Sequence, residues 1–297
     1  MRIHTSPVVM SIPTPAKHVT LDSESLPDAD TTSLPVVPTD GTTDDKYTLQ
    51  YPPPDYTDPD DPVVVLSLHK GHTIRFTGMD DLLAQALCAA AAAAWPAGVK
   101  ESRWSGGLGH MPRYFKLKLN GLPFLAGQRG GGDPGFVPAQ RIMGRVLRTL
   151  LEYGWKVEGM GDCVTHRWGS VASLVLMRAE PRVVETGDMV VIAFDSKDEM
   201  WLVDAPTSVE EMVLRTVTKY WTQGIKGVSN RLGTAQFKLH GMPWLGSDGS
   251  KSTIEDVAAC ALMARIMYRL KGIGYSLYAT IDISNDKEPP SWVFLRS

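Results

Sequence analysis

The run Gly246-Ser247-Asp248-Gly249-Ser250-Lys251-Ser252 has the residue types of a phosphate loop and stands between a strand pattern and a helix pattern. Such a loop can hold an anion on backbone N–H groups at the positive end of a helix dipole. The P-loop spacing is not met. That motif needs glycine immediately before the lysine and another opening the loop, and those places hold Ser250 and Leu245. What remains is a flexible capped loop, or a weak anion site at Gly249, Ser250, Lys251 and Ser252. Metal-ligand types occur in Asp162-Cys163 with His166 and in His69-x-x-His72. Neither set supplies the four ligands of a structural zinc site, and the second copy has Ile283-Ser284-Asn285-Asp286 at the place of the first set. No Gly-x-Ser-x-Gly elbow is present. No cofactor, metal or catalytic residue is expected.

The elements that would have to position any such chemistry are written twice. Leu117-Lys118-Leu119-Asn120-Gly121-Leu122-Pro123-Phe124 returns 120 positions later as Phe237-Lys238-Leu239-His240-Gly241-Met242-Pro243-Trp244. The same shift carries Met143 onto Met263, Arg145 onto Arg265, Gly154 onto Gly274 and Asp162 onto Asp282. Agreement over that span marks a tandem duplication. Catalytic residues of a duplicated active domain should recur at this shift, and the recurrent polar ones are only Lys118/Lys238, Arg145/Arg265 and Asp162/Asp282.

Each copy reads as β-β-α-β-α-β-β. In residues 61–180, Val63 to Leu68 and His72 to Phe76 form a hairpin, followed by an alanine-rich helix from Asp80 to Trp95. Its six consecutive alanines predict close packing on a sheet. A glycine-rich loop, Glu101 to Pro112, leads to the signature strand. Ala139, Ile142, Met143, Val146, Leu147, Leu150 and Leu151 then form one buried helix face. In residues 187–297 the order repeats, with Thr207/Glu210 and Ser208/Glu211 as capping-box signals. The expected class is α+β, two tandem units of antiparallel sheet with helices packed on one face. Asp162 and Asp282 read as turn or cap residues just past a strand.

Residues 1–60 carry three basic and ten acidic side chains, leaving 27 basic and 23 acidic in 61–297. This acidic, proline-rich segment predicts a disordered tail, in which Pro53-Pro54-Asp55-Tyr56 has the form of a WW-domain ligand. A mildly basic body argues against nucleic-acid binding. No run is long and apolar enough for a membrane helix, and the N-terminus lacks a signal-peptide core. With three scattered cysteines, the cytosol is the expected compartment and the nucleus the alternative.

The Phe-Lys-Leu-x-Gly-x-Pro-Trp signature, the helix ending in Gly-Tyr and Ile281-Asp282-Ile283-Ser284 resemble a group of uncharacterised, mostly fungal intracellular tandem-repeat proteins. The resemblance spans about 61–297, implies the tandem architecture, and brings no activity or site residue with it. The signature aromatics either fold back onto the core or, with Trp104 and Trp155, form an exposed platform of Trp104, Phe124, Trp155 and Trp244 flanked by Lys118 and Lys238. The functional expectation is a non-enzymatic protein that recognises a protein, peptide or apolar ligand by a groove between side-by-side units or by those aromatic loops. The alternative is a small-molecule or phosphate-ligand enzyme using the glycine loops.

Overall fold

Val63-Val64-Val65-Leu66-Ser67-Leu68 is β-branched and apolar, and it forms strand β1 (Val63–His69) with alternate residues buried. The structure is a computed structural model that describes residues 63–69, 71–107, 112–125, 135–166, 169–244, 253–283 and 289–297. The chain divides into units 1–50 and 51–297, and every described residue belongs to the second. The Pro53-Pro54-Asp55-Tyr56 motif and the Gly249–Ser252 loop lie outside the described residues.

The first repeat continues with β2 (Thr73–Thr77), α1 (Asp81–Ala94), β3 (Val99–Ser105), β4 (Tyr114–Leu119), α2 (Phe136–Glu152), β5 (Trp155–His166) and β6 (Gly169–Arg178). The second supplies β7 (Met189–Asp195), β8 (Glu199–Val203), α3 (Thr207–Tyr220), β9 (Ile225–Arg231), β10 (Thr234–Leu239), α4 (Thr253–Gly272), β11 (Tyr275–Ile281) and β12 (Ser291–Arg296). The strands make two six-stranded sheets, β3-β4-β2-β1-β6-β5 and β11-β12-β7-β8-β10-β9, antiparallel throughout. The α+β tandem duplicate is the observed class.

Each repeat carries one strand more than the sequence reading gave it. The stretch from Glu101, read as the start of a loop, continues β3, which pairs with β4 from Val99 to Ser105. An edge strand needs little apolar alternation, and Lys100-Glu101-Ser102-Arg103 supplies none. Three smaller expectations also change. Asp162 lies within β5, opposite Ala172, because the β5–β6 hairpin of the first repeat runs well past the point where β11 stops. Pro206 is the N-cap of α3 and no side chain caps it; Thr207 is already helical, so the capping boxes do not form. The cap of α1 is made by Asp80, whose side chain accepts the Leu83 N–H at 2.8 Å. Finally, α1 meets the core through Leu83, Ala84, Leu87 and Ala91, while Ala89, Ala92 and Ala93 stay exposed.

The two repeats stack in layers: first sheet, α1 and α2, second sheet, α3 and α4. One face of the second sheet (Val190, Ile192, Phe194, Met200, Leu202, Phe294) packs on its own helices. The other (Met189, Val191, Ala193, Trp201, Val203, Val293, Leu295) joins the core of the first repeat. Helix α2 lies between the sheets, and twelve of its seventeen residues are buried. Gly144 of α2 lies against Val191, close enough that an added Cβ would stand 3.6 Å from its side chain. Phe136 meets Trp201 with ring centroids 5.9 Å apart. Arg141 pins the joint, donating from Nε to Asp204 Oδ1 (2.8 Å) and from Nη2 to the Leu232 carbonyl (2.8 Å) and Thr234 Oγ1 (3.2 Å). At the sheet margin the Val157 N–H donates to the Tyr278 hydroxyl at 3.0 Å. Burial pushes the Tyr278 hydroxyl up to about 12.

Candidate functional site

The signature loops come first, because the sequence singles them out. Gly121 and Gly241 adopt φ of 71° and 81°, a left-handed turn that favours glycine. In the first repeat the loop holds the β1–β2 turn through Leu119 N–H to His72 O (2.8 Å) and Phe124 N–H to Gly71 O (2.9 Å). The second repeat duplicates both bonds with Leu239 N–H to Asp198 O (2.9 Å) and Trp244 N–H to Lys197 O (3.1 Å). The indole N–H at the end of the preceding helix completes the tie: Trp95 donates to Asn120 O (2.8 Å) and Trp221 to His240 O (3.0 Å). The signature therefore clamps helix end, hairpin turn and strand end together. Trp95 and Trp221, each followed three residues later by glycine, were the sequence signal for this clamp.

The signature aromatics point inward. Phe124, Trp155 and Trp244 are buried, and Trp244 lies 4.5 Å from Phe194 between ring centroids. An exposed platform of the four aromatics is therefore not what the structure shows, because three of them fill the core. The lysines are also separated. Lys238 Nζ donates to Glu199 Oε1 at 2.8 Å, beside Gln236, which donates to Glu199 Oε2 at 2.7 Å. That carboxylate holds the Lys238 ammonium above its usual range. Lys118 stands opposite Thr73 and Glu101. The Glu101 carboxyl is held below its usual range by the hydrogen bond from Lys116, with Arg103 and Lys118 adding to it. Among the described residues, no group of three or more His, Cys, Asp or Glu side chains is placed to hold a metal ion.

Trp104 is the exception among the aromatics. It sits half-buried on β3, which ends the strand order of the first sheet. Its ring stands edge-on to Phe115 at 5.4 Å, and the Arg113 guanidinium lies 4.0 Å from its centroid. Trp104, Phe115 and Ser102 form one wall of a groove of about 440 Å³, Ala84, Gln85, Cys88, Ala89 and Ala92 of α1 form the other, and Asp81 also lines it. The equivalent helix positions in the second repeat are Glu210, Glu211, Leu214, Arg215 and Thr218. Cys88, Ala89 and Ala92 are thus smaller than the Leu214, Arg215 and Thr218 that replace them in the duplicate. Helix α2 fills the room that a groove between side-by-side units would need. Two clefts lined by described residues of both repeats measure about 160 and 260 Å³.

One domain family matches the chain twice, over residues 62–177 and 188–295. The chain belongs to this family. Its two matched stretches contain the two sheets and their helices almost to the residue. No curated protein matches the chain, and no solved structure does. No described helix is long and apolar enough to cross a membrane.

Proposed function

We propose that the protein is an interaction module that takes an extended peptide segment of a partner into the groove between α1 and β3. The alanine-lined groove beside an edge strand carries this reading. An edge strand offers unpaired N–H and C=O groups on one side, so a peptide can add as a further strand. Its alternate side chains then reach the pocket walled by Ala89, Ala92, Trp104 and Phe115. Charge at the groove is mixed, with Lys100 exposed on the strand, Arg103 paired with Glu101 and Asp81 on the lining, so the apolar side chains of the segment set the preference. The resemblance of its Phe-Lys-Leu-x-Gly-x-Pro-Trp signature to mostly fungal intracellular proteins supports an activity in the cytoplasm, with the nucleus as the alternative.

The test is selection of a random-peptide display library on the full chain, followed by direct affinity measurement. Enriched peptides should alternate apolar residues. They should lose at least about tenfold in affinity (~1.4 kcal/mol) when Cys88→Leu and Ala92→Thr introduce the side chains of the second repeat. No enrichment, or peptides indifferent to that double substitution, would overturn the reading.

A further inference from the structure

The joint between the repeats is a contact between two different surfaces of one repeated unit, the outer face of a second helix and the outer face of the next sheet. Both surfaces occur a second time at the ends of the molecule, and there neither is buried among the described residues. On α4 the positions equivalent to Val137, Arg141, Gly144 and Arg148 of α2 are Val257, Ala261, Ala264 and Tyr268, and Ile254 precedes them. All five are exposed, with Ile254 at 84%, Val257 at 65% and Tyr268 at 69%. Their spacing makes one continuous apolar stripe along the helix. On the first sheet, Val63, Val65, Val175 and Met177 stand where Met189, Val191, Val293 and Leu295 receive α2. None of the four is buried, and Met177 is 42% exposed.

We propose that a second copy of this chain docks the Val63/Val65/Val175/Met177 patch of its first sheet onto the α4 stripe, repeating between molecules the joint that α2 makes within one. A contact of this kind uses different surfaces on the two partners. It therefore propagates as an open chain or closes as a ring. The pin is missing at both ends, since Arg141 corresponds to Ala261 and Asp204 to Gly78. The intermolecular joint is consequently weaker and reversible.

Sedimentation velocity of the full chain over a wide concentration range tests this. The weight-average mass should rise above that of one chain without stopping at a dimer, or should settle at a closed ring. Ala264→Arg blocks the helix end and Val65→Asp blocks the sheet end, so each variant alone should stay monomeric. Mixed in equal amounts they should form a heterodimer and stop there, because one intact helix end meets one intact sheet end. Cooperative circular dichroism melts establish that both variants fold; if Val65→Asp does not, Met177→Lys takes its place. A parent chain that is monomeric throughout, a sheet variant that still associates, or a mixture that stays monomeric would overturn the proposal.

Discussion

Helices α2 and α4 share one apolar pattern and each ends at a glycine in the left-handed region, Gly154 and Gly274. Yet α2 is buried around most of its circumference and α4 on one side only. The inward residues correspond one for one: Ala139, Ile142, Met143, Val146 and Leu150 with Ala259, Leu262, Met263, Ile266 and Leu270, all buried. What differs is the opposite face and what lies on it. The sheets show the complementary contrast. Trp201 and Val203 in the second sheet, covered by α2, stand where the first sheet has Arg75 and Thr77. Duplication supplied two equal units, and position in the stack set what their outer surfaces became. Terminal units of a stack need a wetter outer face than internal ones, and the first sheet has moved further in that direction than α4.

The largest effect should come from placing the same change at equivalent sites of the two sheets. Val191→Asp puts a carboxylate into the joint against Gly144 and should cost at least about 3 kcal/mol. Val65→Asp, on the half-exposed outer face of the first sheet, should cost about 1–1.5 kcal/mol, mostly lost strand propensity. Urea denaturation of both variants checks this, and equal losses would erase the distinction between the covered and the half-exposed sheet. Arg141→Ala removes the pin and should cost about 1–2 kcal/mol. The same measurement on Ala261→Gly, its counterpart on α4, should show only the loss of helix propensity, roughly 1 kcal/mol.

The smallest effect at neutral pH should come from Tyr278→Phe, about 1 kcal/mol or less for one hydrogen bond. Its value lies in the alkaline range. Burial raises the hydroxyl to about 12 in the folded chain, against about 10 when unfolded, so the folded state holds the proton more tightly. That contribution is complete below about pH 10 and fades as pH rises toward 12. Urea midpoints measured across this window should fall less steeply for the phenylalanine variant. Parallel slopes would mean that the hydroxyl is not buried in the joint.

Much of this architecture was legible because burial leaves a periodic trace. The 120-residue shift, the inward faces of α2 and α4 and the hairpins opening each repeat all follow from apolar spacing. The edge strands β3 and β9 left no such trace, since Lys100-Glu101-Ser102-Arg103 and Lys226-Gly227-Val228-Ser229 need satisfy only one neighbour. The stacking was hidden for another reason. Gln140 and Gly144 look like surface residues of an amphipathic helix until the second sheet is laid over them. The signature aromatics were readable as core or as platform because sequence gives an aromatic its size and not its direction. The groove beside Trp104 depends on what α1 lacks in bulk, which emerges only when Cys88 and Ala92 are set against Leu214 and Thr218.

The doubly covered helix also has a temporal meaning. Synthesis runs from the N-terminus, so α2 can settle on its own sheet well before β7 and β8 have left the ribosome. During that interval Val137, Gly144 and the rest of its second face have nothing to lie against. Half-made chains therefore present a sticky helix, the kind of transient apolar surface that draws chaperones or leads neighbouring nascent chains to tangle. The link between Arg178 and Met189, which delivers the second sheet to that helix, governs how long the exposure lasts.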